Sequence, residues 1–290
     1  MLIKRNILLF FRDKANVFFS LLAVFIIIGL HVLFLGNMLE QVLQAELGFQ
    51  SDKAGIVMTS ITLAGMVAVT SVTSCMGALG ISVADKKDAV KDFLTSPVSR
   101  GKITISYILG SAAVGLIMTV TALILCIIYI TANGGSVPGF TDTARLLLTA
   151  VLSVLCGNSM VYFVTTLVKS QNAFSAVSTV IGTLIGFLMG IYIPVGTMPN
   201  AVQWVIKCFP MSHAAGMFKQ VIADGELSEL FAAAPPEALE GFREVFGVVF
   251  TYGDFTSGFW FSASILAATT AVFYVLSSAV MKARKSNFMH

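Results

Sequence analysis

Apolar runs of twenty residues or more, separated by short polar stretches, occupy most of this 290-residue chain. Six can be read, over about 17–39, 55–84, 103–131, 144–168, 174–193 and 256–281. The runs are continuous rather than alternating, so they predict helices and not the strands of a barrel. At about 1.5 Å per residue each is long enough to cross about 30 Å of hydrocarbon, some with tilt. Ahead of them Ile3, Ile7, Phe10 and Phe11 fall at i, i+4, i+7 and i+8, with Arg5 and Arg12 together on another face. That spacing predicts an amphipathic helix in the membrane interface over residues 1–16; a continuation of the first span with basic anchors is the other reading. The expectation is a single all-α integral membrane domain over 1–290. Its first five spans fill 17–193, and a sixth span with a basic tail fills 256–290.

The regular pattern breaks near the fifth run. There Gly182, Gly186 and Gly190 recur every four residues, a small-residue stripe that lets another helix approach closely. Beyond it Pro194, Pro199 and Pro210 rule out one unbroken helix. Residues 200–209 are too short to span, yet Val202, Trp204, Val205 and Ile206 suit the outer half of a bilayer; 212–223 make a second short piece. Irregular backbone at that depth must be satisfied by protein or by a water-filled cavity, which predicts a re-entrant helical hairpin on the outer face. Residues 224–254 read as an external insertion whose helix starts at Pro235-Pro236-Glu237 and aligns Leu239, Phe242 and Phe246. Hairpin and insertion together fill 194–255.

Residues 85–102 form a charged island between the second and third runs. On a helical wheel Val90, Phe93 and Leu94 share one narrow face, while Asp85, Asp88, Lys91 and Asp92 spread over the rest. Asp85 is placed to cap the start, and Pro97 ends the pattern by forcing Ser96 out of the helical region. Taken alone, the pattern reads more often as a solvated turn than as a short helix that docks into a groove on a soluble partner.

Composition agrees with membrane embedding: 57% of the residues are hydrophobic and 11% charged, with mean hydropathy +0.89. A soluble chain carries about 25% charged residues. With the N-terminus inside, thirteen of the eighteen Lys and Arg residues fall on the inner side and five on the outer, which places both termini in the cytoplasm of a cell-membrane protein. The net charge of +3 sits beside apolar runs, as membrane orientation requires, and does not indicate nucleic acid. Cys75, Cys126, Cys156 and Cys208 show no CxxC pairing; three fall inside apolar runs, and they read as packed small residues. No GxxxxGK(S/T), HExxH or GxSxG occurs, so no catalytic or metal centre is expected and the chain cradles no nucleotide itself. The spans hold no carboxylate pair of the kind that ion-coupled transporters use. His31 is the one ionisable group deep in a span; it is either a neutral histidine bonded to a neighbouring helix or part of a substrate path. Ser71, Thr73, Ser74 and Asn158 read as packing glue.

Two segments carry a resemblance. The charged segment ending in Ser-Pro-Val-Ser-Arg resembles the cytoplasmic loop of type-two ABC exporter permeases, where such a segment contacts the ATP-binding subunit. The step marked by Pro194, Pro199, Trp204, Pro210, Ser212 and Lys219 is similar to the outer hairpin of the same family, with Phe209 and His213 standing where Asn and Tyr are frequent. The resemblance covers interfacial helix, spans, loop and hairpin. It implies a membrane subunit with no nucleotide-binding motif of its own, paired as a homo- or heterodimer and driven by a separate subunit that holds ATP and Mg. It further implies that residues 85–96 and the N-terminal helix, with Arg5, Arg12, Asp85, Asp88, Val90, Phe93 and Leu94, receive the push of that subunit. The first, second and fifth spans of two protomers would then form the path, touching His31 and the glycine stripe. Lipid is a further expected partner, and an amphipathic organic or lipid-like molecule the expected cargo. A secondary transporter and a membrane scaffold or assembly factor are the rival readings.

Overall fold

The computed structural model describes residues 2–30, 53–88, 99–232 and 234–287. Helix α1 (Leu2–Arg12) is followed, after a single break at Asp13, by α2 (Lys14–Leu30). The break follows from Asp13 itself. Its Oδ1 accepts from the backbone N–H groups of Ala15 and Asn16, both at 3.1 Å, which makes it the N-cap of a new helix. Lys14 therefore belongs to α2 rather than to the interfacial element that was expected to run to residue 16. The further course of the first expected span, including His31, lies outside the described residues.

Helix α3 (Lys53–Asp88) is the centre of the molecule. Of its apolar window 89% is buried, against 17% for α6 (Gln171–Leu188) and 11% for α11 (Phe259–Asn287). It packs against α1, α2 and α6, and also against α4 (Arg100–Ala132) and α5 (Phe140–Leu167). Small residues permit this crowding: the ring of Phe10 lies against Gly77, and that of Phe174 against Gly80. Asp85 lies inside α3, not at a helix start, so it caps nothing. The helix runs past the expected end of the second span at residue 84 because Asp85 finds partners along its side. Val90, Phe93 and Leu94 lie outside the described residues, and Asp88 is the last residue of α3.

Five described helices (α3, α4, α5, α6 and α11) are long and apolar enough to cross a membrane. Buried polar side chains join them. The Oδ1 of Asn158 on α5 accepts from Ser111 Oγ on α4 at 2.7 Å, and its Nδ2 donates to Ile108 O on α4 and to the hydroxyl of Tyr274 on α11. The hydroxyls of Ser71 and Ser153 meet at 2.6 Å. Cys75, Cys126 and Cys156 are buried free thiols and Cys208 is an exposed one.

The prolines act where expected. After a short 3₁₀ turn (Val195–Thr197), α7 (Asn200–Cys208) starts behind Pro199, and α8 (Pro210–Ile222) has Pro210 in its first turn. Phe209, the residue before Pro210, is extended at φ −79°, ψ 118°. The insertion folds as α9 (Asp224–Leu230), α10 (Pro236–Val245) and a two-residue hairpin of β1 (Thr251–Tyr252) and β2 (Phe255–Thr256). Leu239, Phe242 and Phe246 do share one face, packed with Val57 and Ile61 of α3.

The fifth span ends earlier than expected, at Leu188, so Gly190 is not on the helical stripe. It sits one residue beyond the cap at φ +61°. Ile191 N–H bonds Gly186 O and Gly190 N–H bonds Phe187 O, both at 3.0 Å, the paired bonds of a Schellman ending. Helix α10 ends the same way on Gly247, also at φ +61°, with Val248 N–H bonding Arg243 O and Gly247 N–H bonding Glu244 O.

Candidate functional site

Two polar constellations stand about 30 Å apart along α3, at Asp85 and at Gly65. At the end that carries α1, the two guanidinium nitrogens of Arg5 donate to Asp85 Oδ2 at 3.0 Å, and the Tyr107 hydroxyl donates to the same oxygen at 2.6 Å. Asn6 Nδ2 donates to Ser106 O beside them. One carboxylate, the first residue of the charged segment, thus ties α1, α3 and α4 together. The Asp85 side chain is 18% exposed and Arg5 37%, so the pair is only partly shielded from water. Arg12 projects, exposed, from the last turn of α1.

Beside this network an open cleft of about 830 Å³ separates α1 and α2 from α3 and α6. Asp13, Asn16 and Gln171 stand along it with Asp85, while Ser175, Ser178 and Thr179 line the α6 wall and Phe19, Met76 and Phe174 supply apolar surface. The volume and mixed lining fall in the range of small-molecule sites, about 300–1,000 Å³.

The second constellation centres on Lys219 of α8, fully buried. Its Nζ donates to Phe246 O at 2.9 Å, Gly190 O at 3.2 Å and Met189 O at 3.4 Å. These carbonyls close the C-termini of α6 and α10, where helix dipoles place negative charge. Burial pushes the amine's pKa down, to about 7, and the converging carbonyls favour its cation against that loss of water. Its stem passes Gly65 of α3, so one side chain on α8 joins the ends of α6 and α10 to the central helix. His213, also buried, places Nδ1 3.1 Å from Ser262 Oγ and Nε2 3.1 Å from Lys207 O. The carbonyl assigns the proton to Nε2, and burial pushes the imidazole's pKa down, keeping it neutral. Glu226 Oε1 accepts from the N–H and Oγ of Ser136, which fastens the insertion to the α4–α5 connection.

The residues singled out in the sequence are only partly brought together. Arg5 meets Asp85, and Gly190 meets Lys219. Gly186 faces the ring of Tyr192, against which an added Cβ would clash, while Gly182 has no atom within 4 Å of the Cβ it lacks. The three glycines therefore form no single surface within the chain. Pro194 caps the 3₁₀ turn, and Trp204 on α7 is 56% exposed, as at a membrane interface. Sequence reasoning missed Tyr107, the cleft, and the meeting of Lys219 with two helix ends. Only the paired signals Met-Gly-Ile and Phe-Gly-Val, each glycine closing an apolar helical run, hinted at those ends.

Residues 1–222 match the family model described as ABC-2 type transporter, a span that takes in everything from α1 through α8. A comparison with curated proteins returns no match. With 222 of its 290 residues inside that one match, the chain belongs to the ABC-2 type transporter family.

Proposed function

We propose that this multi-pass ABC transporter permease moves an amphipathic organic or lipid-like substrate outward across the cell membrane, powered by a separate ATP-binding subunit. The observation that carries the reading is the cleft between α2, α3 and α6. It joins hydroxyl and apolar surface in one volume, and it adjoins the network through which force would arrive. Both termini lie in the cytoplasm on this reading, as the distribution of basic residues supports. The cleft then opens on the inner side, and the hairpin α7–α8 with its insertion forms a re-entrant structure on the outer side. Residues 85–96 dock in the ATPase, with Val90, Phe93 and Leu94 as the buried face. A push there reaches Asp85, and through Arg5 and Tyr107 it is shared with α1 and α4.

Co-expression with the ATP-binding subunit tests this directly. Phe93→Ser with Leu94→Ser is expected to remove about 2–4 kcal/mol of apolar burial at the interface. Co-purified ATPase and nucleotide-driven substrate movement in vesicles should both fall. Unchanged association and transport in a well-expressed double variant would refute the docking.

The working unit is a pair of protomers. The α6 face that carries Gly182 is open within the chain and suits a helix of the second copy. Gly182→Leu is expected to leave the melting of the chain itself unaltered and to lower the dimer fraction in cross-linking. An unaltered dimer would place lipid, not protein, against that face.

A further inference from the structure

We infer that the cleft between α2 and α6 is a recognition site for amphipathic organic cations, a narrowing of the proposed substrate class that rests on the exporter reading. Its charge is one-sided. Among the described residues that line it, the ionisable ones are Asp13 and Asp85, and no Lys, Arg or His contributes. Asp85 is partly neutralised by Arg5 through Oδ2. Asp13 is not. Its oxygens accept from Ala15 N–H, Asn16 N–H and Asn16 Nδ2, all uncharged donors that hold the carboxylate in place and leave its charge without a counter-ion among the described residues. Below it, Ser178 and Thr179 continue the wall for about two helical turns, roughly 12 Å from the start of α6. Phe19 and Phe174 add aromatic surface on which a cation with an apolar body is favoured. A fixed carboxylate at the mouth and hydroxyl and aromatic surface behind it attract positive charge and apolar bulk together. The same arrangement repels an anion of equal size.

The test uses a pair of probes of nearly the same size and shape and opposite charge, tetraphenylphosphonium and tetraphenylborate. Each is measured against the full chain in phosphatidylcholine nanodiscs, with empty discs subtracted and no nucleotide or partner subunit present. The cation is expected to bind and the anion not. Asp13→Asn retains a residue type equally good at capping α2, so the fold is kept, and cation affinity should fall about tenfold. Ser178→Phe fills the wall and should abolish binding while leaving the melting curve in place. Equal binding of both probes, no binding of either, or an Asp13→Asn variant with undiminished affinity would overturn the assignment. Undiminished cation binding in Ser178→Phe would also overturn it. Because the measurement needs no ATPase, its failure is distinct from failure of the coupling experiment on Phe93 and Leu94.

Discussion

Lys219→Met is expected to destabilise the protein by about 2–4 kcal/mol, although methionine matches the length of the lysine stem and removes a buried charge. The cost arises from what remains. Three carbonyls, of Met189, Gly190 and Phe246, lose their donor at the negative ends of two helices, the first two of them in buried bonds. The apolar thioether cannot replace those bonds, and the tie between α6 and α10 opens. Thermal unfolding in detergent, followed by the monodisperse fraction, reads the effect against Lys102→Met, which changes an exposed lysine near the start of α4. Equal melting of the two variants would mean that the carbonyl cage contributes nothing to the fold.

Gly190→Val is expected to be as damaging for a different reason. A β-branched side chain at φ +61° costs about 1–3 kcal/mol in backbone strain alone. The added carbon would also collide with the side chain of Val195, so the turn into the hairpin must shift. Gly190→Asn gives the control, since asparagine tolerates the left-handed region. The expected order of stability is parent, then Asn, then Val. Equal losses in the two variants would show that crowding rather than backbone conformation sets the requirement for glycine.

The sequence was legible where its signals are local. Proline at 199 and 210 located α7 and α8 within two residues, and Leu239, Phe242 and Phe246 predicted the buried face of α10. The amphipathic helix α1 and the long apolar helices α3 to α6 and α11 followed from apolar periodicity and run length. The errors have a common cause. Gly182, Gly186 and Gly190 have the spacing of a helical stripe, but nothing in that spacing tells a helical glycine from one that closes the helix. Asp85 looks like a cap by its neighbours in sequence, whereas its partners are Arg5, eighty residues earlier, and Tyr107 on the next helix. Lys219 meets carbonyls 27 to 30 positions away. Long-range pairings of this kind leave no periodic trace. The β1–β2 hairpin is different: Tyr-Gly-Asp-Phe is a two-residue turn signal between aromatic residues, with Gly253 at φ +63°, and it was readable though unread.

Helix α3 has a mechanical consequence. Its 36 residues make a rod about 54 Å long, with the Asp85 network near one end and Gly65, beside the Lys219 stem, about 30 Å away. A rod answers a push by translating, tilting or turning about its axis, and each of these carries both ends at once. The Asp85 network and the Lys219 staple therefore cannot be displaced one before the other while α3 stays straight. Synchrony between the two constellations is then a property of the stiffness of one helix, and no relay from residue to residue is required.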